Sequence, residues 1–305
     1  MSSFLSKASL VSPHGARPPV AVELTPEGVL AAATDGAGNA PSYALAPLPA
    51  GALVPGIAEA NVHNAEAVAG AIRSALGQVS PRTRSVTVVL PDPCVRVFML
   101  DFDSLPAKSD EALSVLRFRM RKMLPFDVEL AGLSYQVLSQ DKDDCKVLVA
   151  VTPGPVLAEY EAAVRAAGYE PGAALPASVA ALETMDSMEA VLAANLSAST
   201  LTTVIVNGQD LLLYRALDLP QDPELRRGEI RRGIAVAAAY YEDKLGLRAS
   251  RLHYTGNAAG SAFAEWVGDS ELTVVDLAPQ PETGAVTALG HASIAGVAGA
   301  LAGAR

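Results

Sequence analysis

The side chains able to do chemistry are few and scattered. Four histidines, His14, His63, His253 and His291, stand apart from other ligand types at helical spacing, so no metal site is expected. Cys94 and Cys145 belong to no Cys-x-x-Cys pair, which argues against a zinc knuckle or a disulfide scaffold and suits a reducing compartment. No phosphate-cradling Walker loop and no Gly-x-Ser-x-Gly nucleophile turn occurs. Gly36-Ala37-Gly38 is a fragment of a glycine fingerprint, but it follows a hairpin pattern rather than linking a strand to a helix, and it reads as a loop. Two cationic clusters remain. Arg117, Arg119, Arg121 and Lys122 precede Pro125, and Arg226, Arg227, Arg231 and Arg232 open a later helical stretch. Arg117/Arg121 and Arg227/Arg231 sit at i, i+4, where like charges repel. A solvated face is the plain reading, and contact with an acidic partner segment or lipid headgroups is the sharper one.

The elements that must carry these residues follow from composition and pattern. The 305-residue chain is half apolar, enough for a sizeable core, and its length suits two lobes. Only 5% is aromatic, so much of the apolar share is small residues such as Ala. A net charge of −10 has the wrong sign for wide contact with nucleic-acid phosphate. Phe4, Leu5, Leu10 and Val11 are too interrupted to form a leader. The charge-poor stretch 284–304 is mostly Gly and Ala, too weakly apolar to span a bilayer; its Ile294, Val297 and Leu301 suit one buried helix face. A cytoplasmic location is expected.

Alternation marks strands at 20–24 and 29–34, joined by Thr25-Pro26-Glu27-Gly28. The Pro- and Ala-rich stretch 41–56 reads as a loop. Asn64 caps a helix to Leu76 that lines up Val68, Ile72 and Leu76. Strands are expected at 85–90 and 94–102, then a helix from Ser109 that Pro125 stops. Strands at 133–139 and 146–151 flank an acidic loop, and helices follow at 155–167, ended by Gly168, and 178–185. A strand at 191–194 leads to a hairpin, 201–206 and 209–215, with Asn207-Gly208 as two left-handed turn residues. A helix over 229–245, a strand at 251–254, a helix to Val267, a strand at 272–275 and a final Ala/Gly helix complete the chain. No repeat of 20 to 50 residues is visible. Hairpins mixed with crossovers through helices give an α/β class.

The order of motifs from Ser85 to Leu138 resembles the inserted subdomain of the PilM family of type IV pilus assembly proteins. It runs strand, proline, strand, Leu105-Pro106, an acid-opened helix, Met123-Leu124-Pro125-Phe126-Asp127, then Tyr135-Gln136-Val137-Leu138. The family has a Tyr-Ile-Pro-Phe-like turn and an Asp-Tyr-Gln-Val-Leu-like strand; here Met123 replaces the aromatic and Ser134 precedes Tyr135. Ala167-Gly168-Tyr169-Glu170-Pro171, Tyr254-Thr255-Gly256 and the closing Ala-rich helix extend the likeness over nearly the whole chain from Val20. It implies an actin-like (ribonuclease H-like) two-lobed fold: a flexible tail at 1–18, lobe I at 19–188 with an inserted α/β subdomain at 86–145, a reduced lobe II at 189–278, and a C-terminal helix within 279–305 that returns to lobe I.

The resemblance also locates nucleotide positions, and these depart from the family. Actin-like sites use two Asp-x-Gly hairpins, where Gly lets the backbone meet a phosphate and Asp orients metal-bound water. Here the first reads Glu23-Leu24-Thr25 with Pro26 next and Leu30 where the family often has Lys; the second reads Asn195-Leu196-Ser197. The adenosine-side Gly-Gly becomes Gly256-Asn257. Side chains at Thr25 and Ser197 crowd the phosphates, and Asn195 lacks the charge. Only residues 216–225 separate Arg215 from Arg226, too few for the small subdomain that would wall the cleft. No catalytic residue and no cofactor is expected, with binding of ATP and Mg²⁺ weak or absent. The implied role is a cytoplasmic scaffold of the type IV pilus inner-membrane platform, peripheral to the membrane through its partners. Its groove between the insertion and lobe I would hold the N-terminal tail of a PilN-like membrane protein, and other platform or motor components are further partners. Val95, Val97, Met99, Leu124, Pro125 and Phe126 are the candidate contacts, with Arg117 and Arg121 facing an acidic tail or the membrane. An active ATP-binding actin-like protein or sugar-kinase relative, and a type II secretion L-component module, are the alternatives.

Overall fold

The computed structural model describes residues 17–34, 40–185, 189–268, 271–280 and 289–303. Gly36-Ala37-Gly38 and the tail residues 1–16 lie outside them, as do 284–288 and 304 of the 284–304 stretch. The first hairpin forms as expected. β1 (Val20–Leu24) and β2 (Gly28–Ala33) are antiparallel, and Thr25 and Gly28 exchange backbone hydrogen bonds of 2.9 and 3.2 Å across the turn. The expected loop at 41–56 contains a strand, β3 (Ser42–Pro47), paired with β2 at the sheet edge. Its Ala and Pro content gives little strand signal by itself; the open ladder of β2 supplies the partner. Asn64 caps α1 (Ala65–Val79) by accepting from Ala67 N at 3.0 Å, and Val68, Ile72 and Leu76 are buried. β4 (Ser85–Leu90) then lies parallel to β1.

The insertion follows a short 3-10 turn at Asp92–Cys94. It comprises β5 (Arg96–Phe102), α2 (Ser109–Met120), β6 (Gly132–Gln140) and β7 (Cys145–Thr152), with sheet order β5-β7-β6. Its sheet therefore spans Arg96–Thr152 rather than 86–145. Residues 86–90 are a lobe I strand, and 146–152 lie in the insertion's middle strand. α2 ends at Met120, ahead of Pro125, so proline is not its stop. The Arg117 guanidinium donates to the carbonyls of Val128 and Ala131, and Arg121 pairs with Glu129, drawing 128–131 back against the helix end.

Lobe I closes with α3 (Gly154–Ala166), Gly168 at φ +89°, β8 (Glu170–Pro176) and α4 (Ala177–Ala181). The sequence does not announce β8, because Pro171 and Pro176 lie in it. As an edge strand beside β4 it tolerates prolines that would break a central ladder. The sheet order is β3-β2-β1-β4-β8. Lobe II repeats it. β9 (Ala190–Leu196), β10 (Thr200–Asn207), β11 (Asp210–Asp218), α5 (Pro223–Leu245), β12 (Arg251–Gly256), α6 (Gly260–Val267) and β13 (Thr273–Asp276) give the order β11-β10-β9-β12-β13. In both sheets an antiparallel hairpin meets two parallel strands, so one topology is used twice without a matching sequence.

Two local readings change in lobe II. Asn207 pairs with Asp210, so the turn residues are Gly208 and Gln209, and Gly208 alone of the Asn-Gly pair has positive φ, +59°. A bulge between Ile205 and Val206 moves the register. α5 starts at Pro223 rather than Glu229, because Asp222 caps it by accepting from Glu224 N and Leu225 N at 3.0 and 2.9 Å. Residues 219–222 alone join β11 to α5. α7 (Ala295–Ala302) returns to lobe I with Ile294, Val297 and Leu301 buried, and it packs so closely that a Cβ at Gly299 would lie 1.9 Å from the Ala180 carbonyl oxygen. Arg17, inside the expected tail at 1–18, is buried and pairs with Glu183 at 3.4 Å. No helix among the described residues is long and apolar enough to cross a membrane.

Candidate functional site: the cleft between the lobes

Strand ends from both sheets converge on one cleft, the crevice beyond the carboxyl ends of parallel strands where open α/β sheets place ligands. Its cavity is about 260 Å³, and Glu23, Thr25, Asn195, Ser197, Gly256 and Asn257 all line it. The six positions picked from sequence are thus brought together, from three separate turns. Gly256 has φ +154°, and a Cβ there would lie 2.4 Å from the Leu196 carbonyl oxygen, so the β12 end approaches β9 only as glycine.

The polar groups of the cleft are mostly engaged with the protein itself. Thr25 Oγ1 donates to Gly28 O at 2.9 Å and Ser197 Oγ to Thr200 O at 3.1 Å, so each hairpin hydroxyl closes its own turn. Arg226 donates to Ala198 O and Ser197 O at 2.7 and 3.1 Å and fastens the second hairpin from outside. Asn257 Nδ2 reaches Glu27 Oε1 at 3.3 Å, a bond from lobe II to lobe I.

Sequence reasoning missed Asp92, the residue with the most contacts here. It follows β4 between Pro91 and Pro93 and is buried. Its Oδ1 accepts from Ser178 N and Oγ at 3.0 and 2.9 Å; its Oδ2 accepts from Asn195 Nδ2 and Thr202 Oγ1 at 2.8 and 2.9 Å. One carboxylate therefore pins lobe I to lobe II. Ser178 Oγ shares a hydrogen bond of 2.5 Å with the Tyr214 hydroxyl, and burial pushes that phenol well above its usual range. An acid held between two prolines at a strand end was the only available signal.

Glu23 forms no such hydrogen bond among the described residues. Its Oε2 is buried without a hydrogen bond, packed where a Cβ on Gly296 of α7 would lie 2.4 Å away. Burial first, and the Asp92 charge second, push this carboxyl up to about 8. The acidic residues lining the cleft are Glu23, Glu27 and Asp92, with His291 and no Lys or Arg among the described lining. The described residues contain no group of three His, Cys, Asp or Glu able to hold a metal. Cys94 is buried with Sγ 3.0 Å from both Asn61 Oδ1 and the Tyr160 hydroxyl, and burial pushes its thiol up to about 12, which leaves it unreactive.

The partner-contact candidates divide between two cores. Val95 and Val97 are buried in the lobe I core, and Met99 packs half-buried against it. The alternate residues of β5, Phe98, Leu100 and Phe102, join the insertion's own core, with Leu124 and Phe126 half-buried against it. Pro125 is exposed. Val95 and Val97 thus offer little surface to a partner, and Arg117 is bound to carbonyls of its own subdomain. The α5 cations are also largely engaged: Arg226 on the hairpin carbonyls, Arg227 with Glu224, Arg232 with Glu229.

No family model and no curated protein matches the sequence. Among solved structures, the PilM-PilN type IV pilus biogenesis complex matches over 95% of this chain and 100% of that one, at 19% identity and a TM-score of 0.71. The cytoplasmic domain of EpsL, an inner-membrane component of the type II secretion system of Vibrio cholerae, matches 84% of each chain at 14% identity and a TM-score of 0.49. The ethanolamine utilization protein EutJ from Carboxydothermus hydrogenoformans covers 96% of this chain and 92% of its own at 11% identity and a TM-score of 0.46. Two sheets of one topology facing a common cleft, with a three-stranded insertion after β4, give this chain the actin-like fold seen in the PilM-PilN structure.

Proposed function

We propose that the chain is a cytoplasmic scaffold of a type IV pilus inner-membrane platform that holds the N-terminal tail of a PilN-like membrane protein and does not hydrolyse ATP. The observation that carries this reading is the whole-length likeness, insertion included, to a structure of a PilM-PilN complex. β5 supports a tail-binding role: it is an edge strand of the insertion's sheet, paired only with β7, and an extended peptide can add backbone hydrogen bonds at such an edge. Met99, Leu124, Pro125 and Phe126 retain accessible surface, and Arg121 is exposed in its pair with Glu129.

The chemistry of the cleft supports the absence of hydrolysis. A polyphosphate entering it would meet the acids Glu27 and Asp92, a Glu23 carboxyl held mostly protonated, and no Lys or Arg among the described lining. Asn195, at the second metal-orienting position, is already bound to Asp92. The short β11–α5 connection supports the reading of a reduced second lobe.

The test is a titration of the full chain with the N-terminal cytoplasmic peptide of the host's PilN-like protein. Saturable binding that Met99→Glu and Phe126→Asp each weaken at least tenfold is the expected result. Unchanged affinity in both variants refutes the assigned groove, and no binding by the wild type refutes the partner. Calorimetric titration with Mg-ATP is expected to show no heat of binding; micromolar affinity overturns the non-hydrolysing scaffold.

A further inference from the structure

The insertion presents an apolar surface that its own core leaves uncovered. The buried stripe of α2 is Ala112, Leu116 and Met120. At 100° per residue Phe118 stands on the opposite side, and it is 75% exposed. Met123 and Leu130 are 43% and 72% exposed in the segment that follows. The Arg121–Glu129 pair, 2.6 Å apart, ties the Leu130 segment to the end of the helix.

The cations here are not equivalent. Arg117 and Arg121 are taken up by Val128, Ala131 and Glu129. Arg119 and Lys122 are exposed and form no hydrogen bond or ion pair among the described residues. The acids of the insertion's hairpin, Asp141, Asp143 and Asp144, lie at the other end of the sheet. α2 begins there, after β5, and ends beside the residues that lead into β6. Twelve helical residues, about 18 Å, separate the two ends.

An exposed aromatic on the convex side of a helix, flanked by two unpaired cations, suits a surface that can part around it. A bilayer headgroup layer does so, whereas a protein partner needs a matching pocket. The chain as a whole carries a net charge of −10, so an anionic surface attracts this corner and repels most others. We propose that the C-terminal end of α2 docks directly on an anionic lipid surface, with Phe118 at headgroup level and Arg119 and Lys122 on lipid phosphates. This contact needs no partner protein.

The test is co-sedimentation of the full chain with protein-free vesicles, either phosphatidylcholine alone or with about 30% phosphatidylglycerol. Salt-sensitive partition into the anionic vesicles alone is expected. The double variant R119Q/K122Q lowers the partition coefficient about 30-fold, from about 1 kcal/mol per cation. Phe118→Ser lowers it about tenfold. These side chains are exposed, so an unchanged circular dichroism spectrum confirms the fold of each variant, and R119Q/K122Q is expected to bind the PilN-like peptide as the wild type does. Absence of wild-type partition into anionic vesicles, or partition that survives R119Q/K122Q, overturns the proposal. Capture of a polyglutamate peptide without vesicle binding also overturns it, and would assign the patch to an acidic protein partner.

Discussion

Replacing Glu23 by glutamine tests the cleft most directly. The native carboxyl is held at about 8 against an ordinary 4.5, by burial first and the Asp92 charge second. The folded chain therefore keeps this proton where the unfolded chain loses it. This group's contribution to stability is greatest below about pH 4.5, falls as pH rises towards about 8, and is flat above that. At 1.36 kcal/mol per unit the whole interval corresponds to about 5 kcal/mol; water entering the adjacent cavity and side-chain relaxation reduce this to about 2–4 kcal/mol. Glu23→Gln keeps the shape and removes the ionisation. It is expected to leave stability near pH 5 almost unchanged and to raise it by about 2–4 kcal/mol at pH 8. The assay is urea unfolding across this range, with the variant-minus-wild-type difference plotted against pH. Other titrating groups cancel in that difference. A difference that does not change with pH would refute the reasoning, because it would mean that Glu23 is solvated and ionised in the folded state.

The remaining predictions probe the packing around the same cleft. Asp92→Ala leaves Ser178, Asn195 and Thr202 without their shared acceptor and is expected to cost about 3–5 kcal/mol in chemical unfolding; a loss under about 1 kcal/mol would mean that the carboxylate does not pin the lobes. A double-mutant cycle of Asp92→Ala with Asn195→Ala is expected to show a coupling of about 1–2 kcal/mol, and additivity would count against the contact. Gly299→Ala drives a methyl into the Ala180 carbonyl and is expected to lower the melting temperature by an amount equivalent to about 3 kcal/mol; a neutral outcome would place α7 farther from α4. Gly208→Ala is expected to cost about 1–2 kcal/mol and Asn207→Ala little, since Gly208 alone of the pair is left-handed; the reverse ranking would restore the Asn-Gly turn.

Much of the architecture was readable in the chain because it is local. Alternation marks β1, a turn signal β2, a β-branched run β4 and a hairpin signal β10, and Asn64 announces α1 through a cap that needs only its own third neighbour. The order of turns around 85–138 pointed to an inserted actin-like fold, and the six positions it named meet in one cleft. What failed depended on neighbours distant in sequence. β3 and β8 contain Ala and Pro that specify no strand; they become strands because β2 and β4 offer open ladders. The duplicated topology is invisible in sequence because two sheets can share a strand order while sharing no residues. The cationic clusters look alike on paper, yet carbonyls and glutamates take up Arg117, Arg121, Arg226, Arg227 and Arg232 and leave Arg119, Lys122 and Arg231 without a partner among the described residues. Asp92 and Glu23 show the division most sharply. Residue type alone makes both carboxylic acids. Only the fold decides that four donors from positions 178, 195 and 202 surround one, while α7 closes over the other with no donor, because solvation and hydrogen bonding belong to the assembled site and not to the chain.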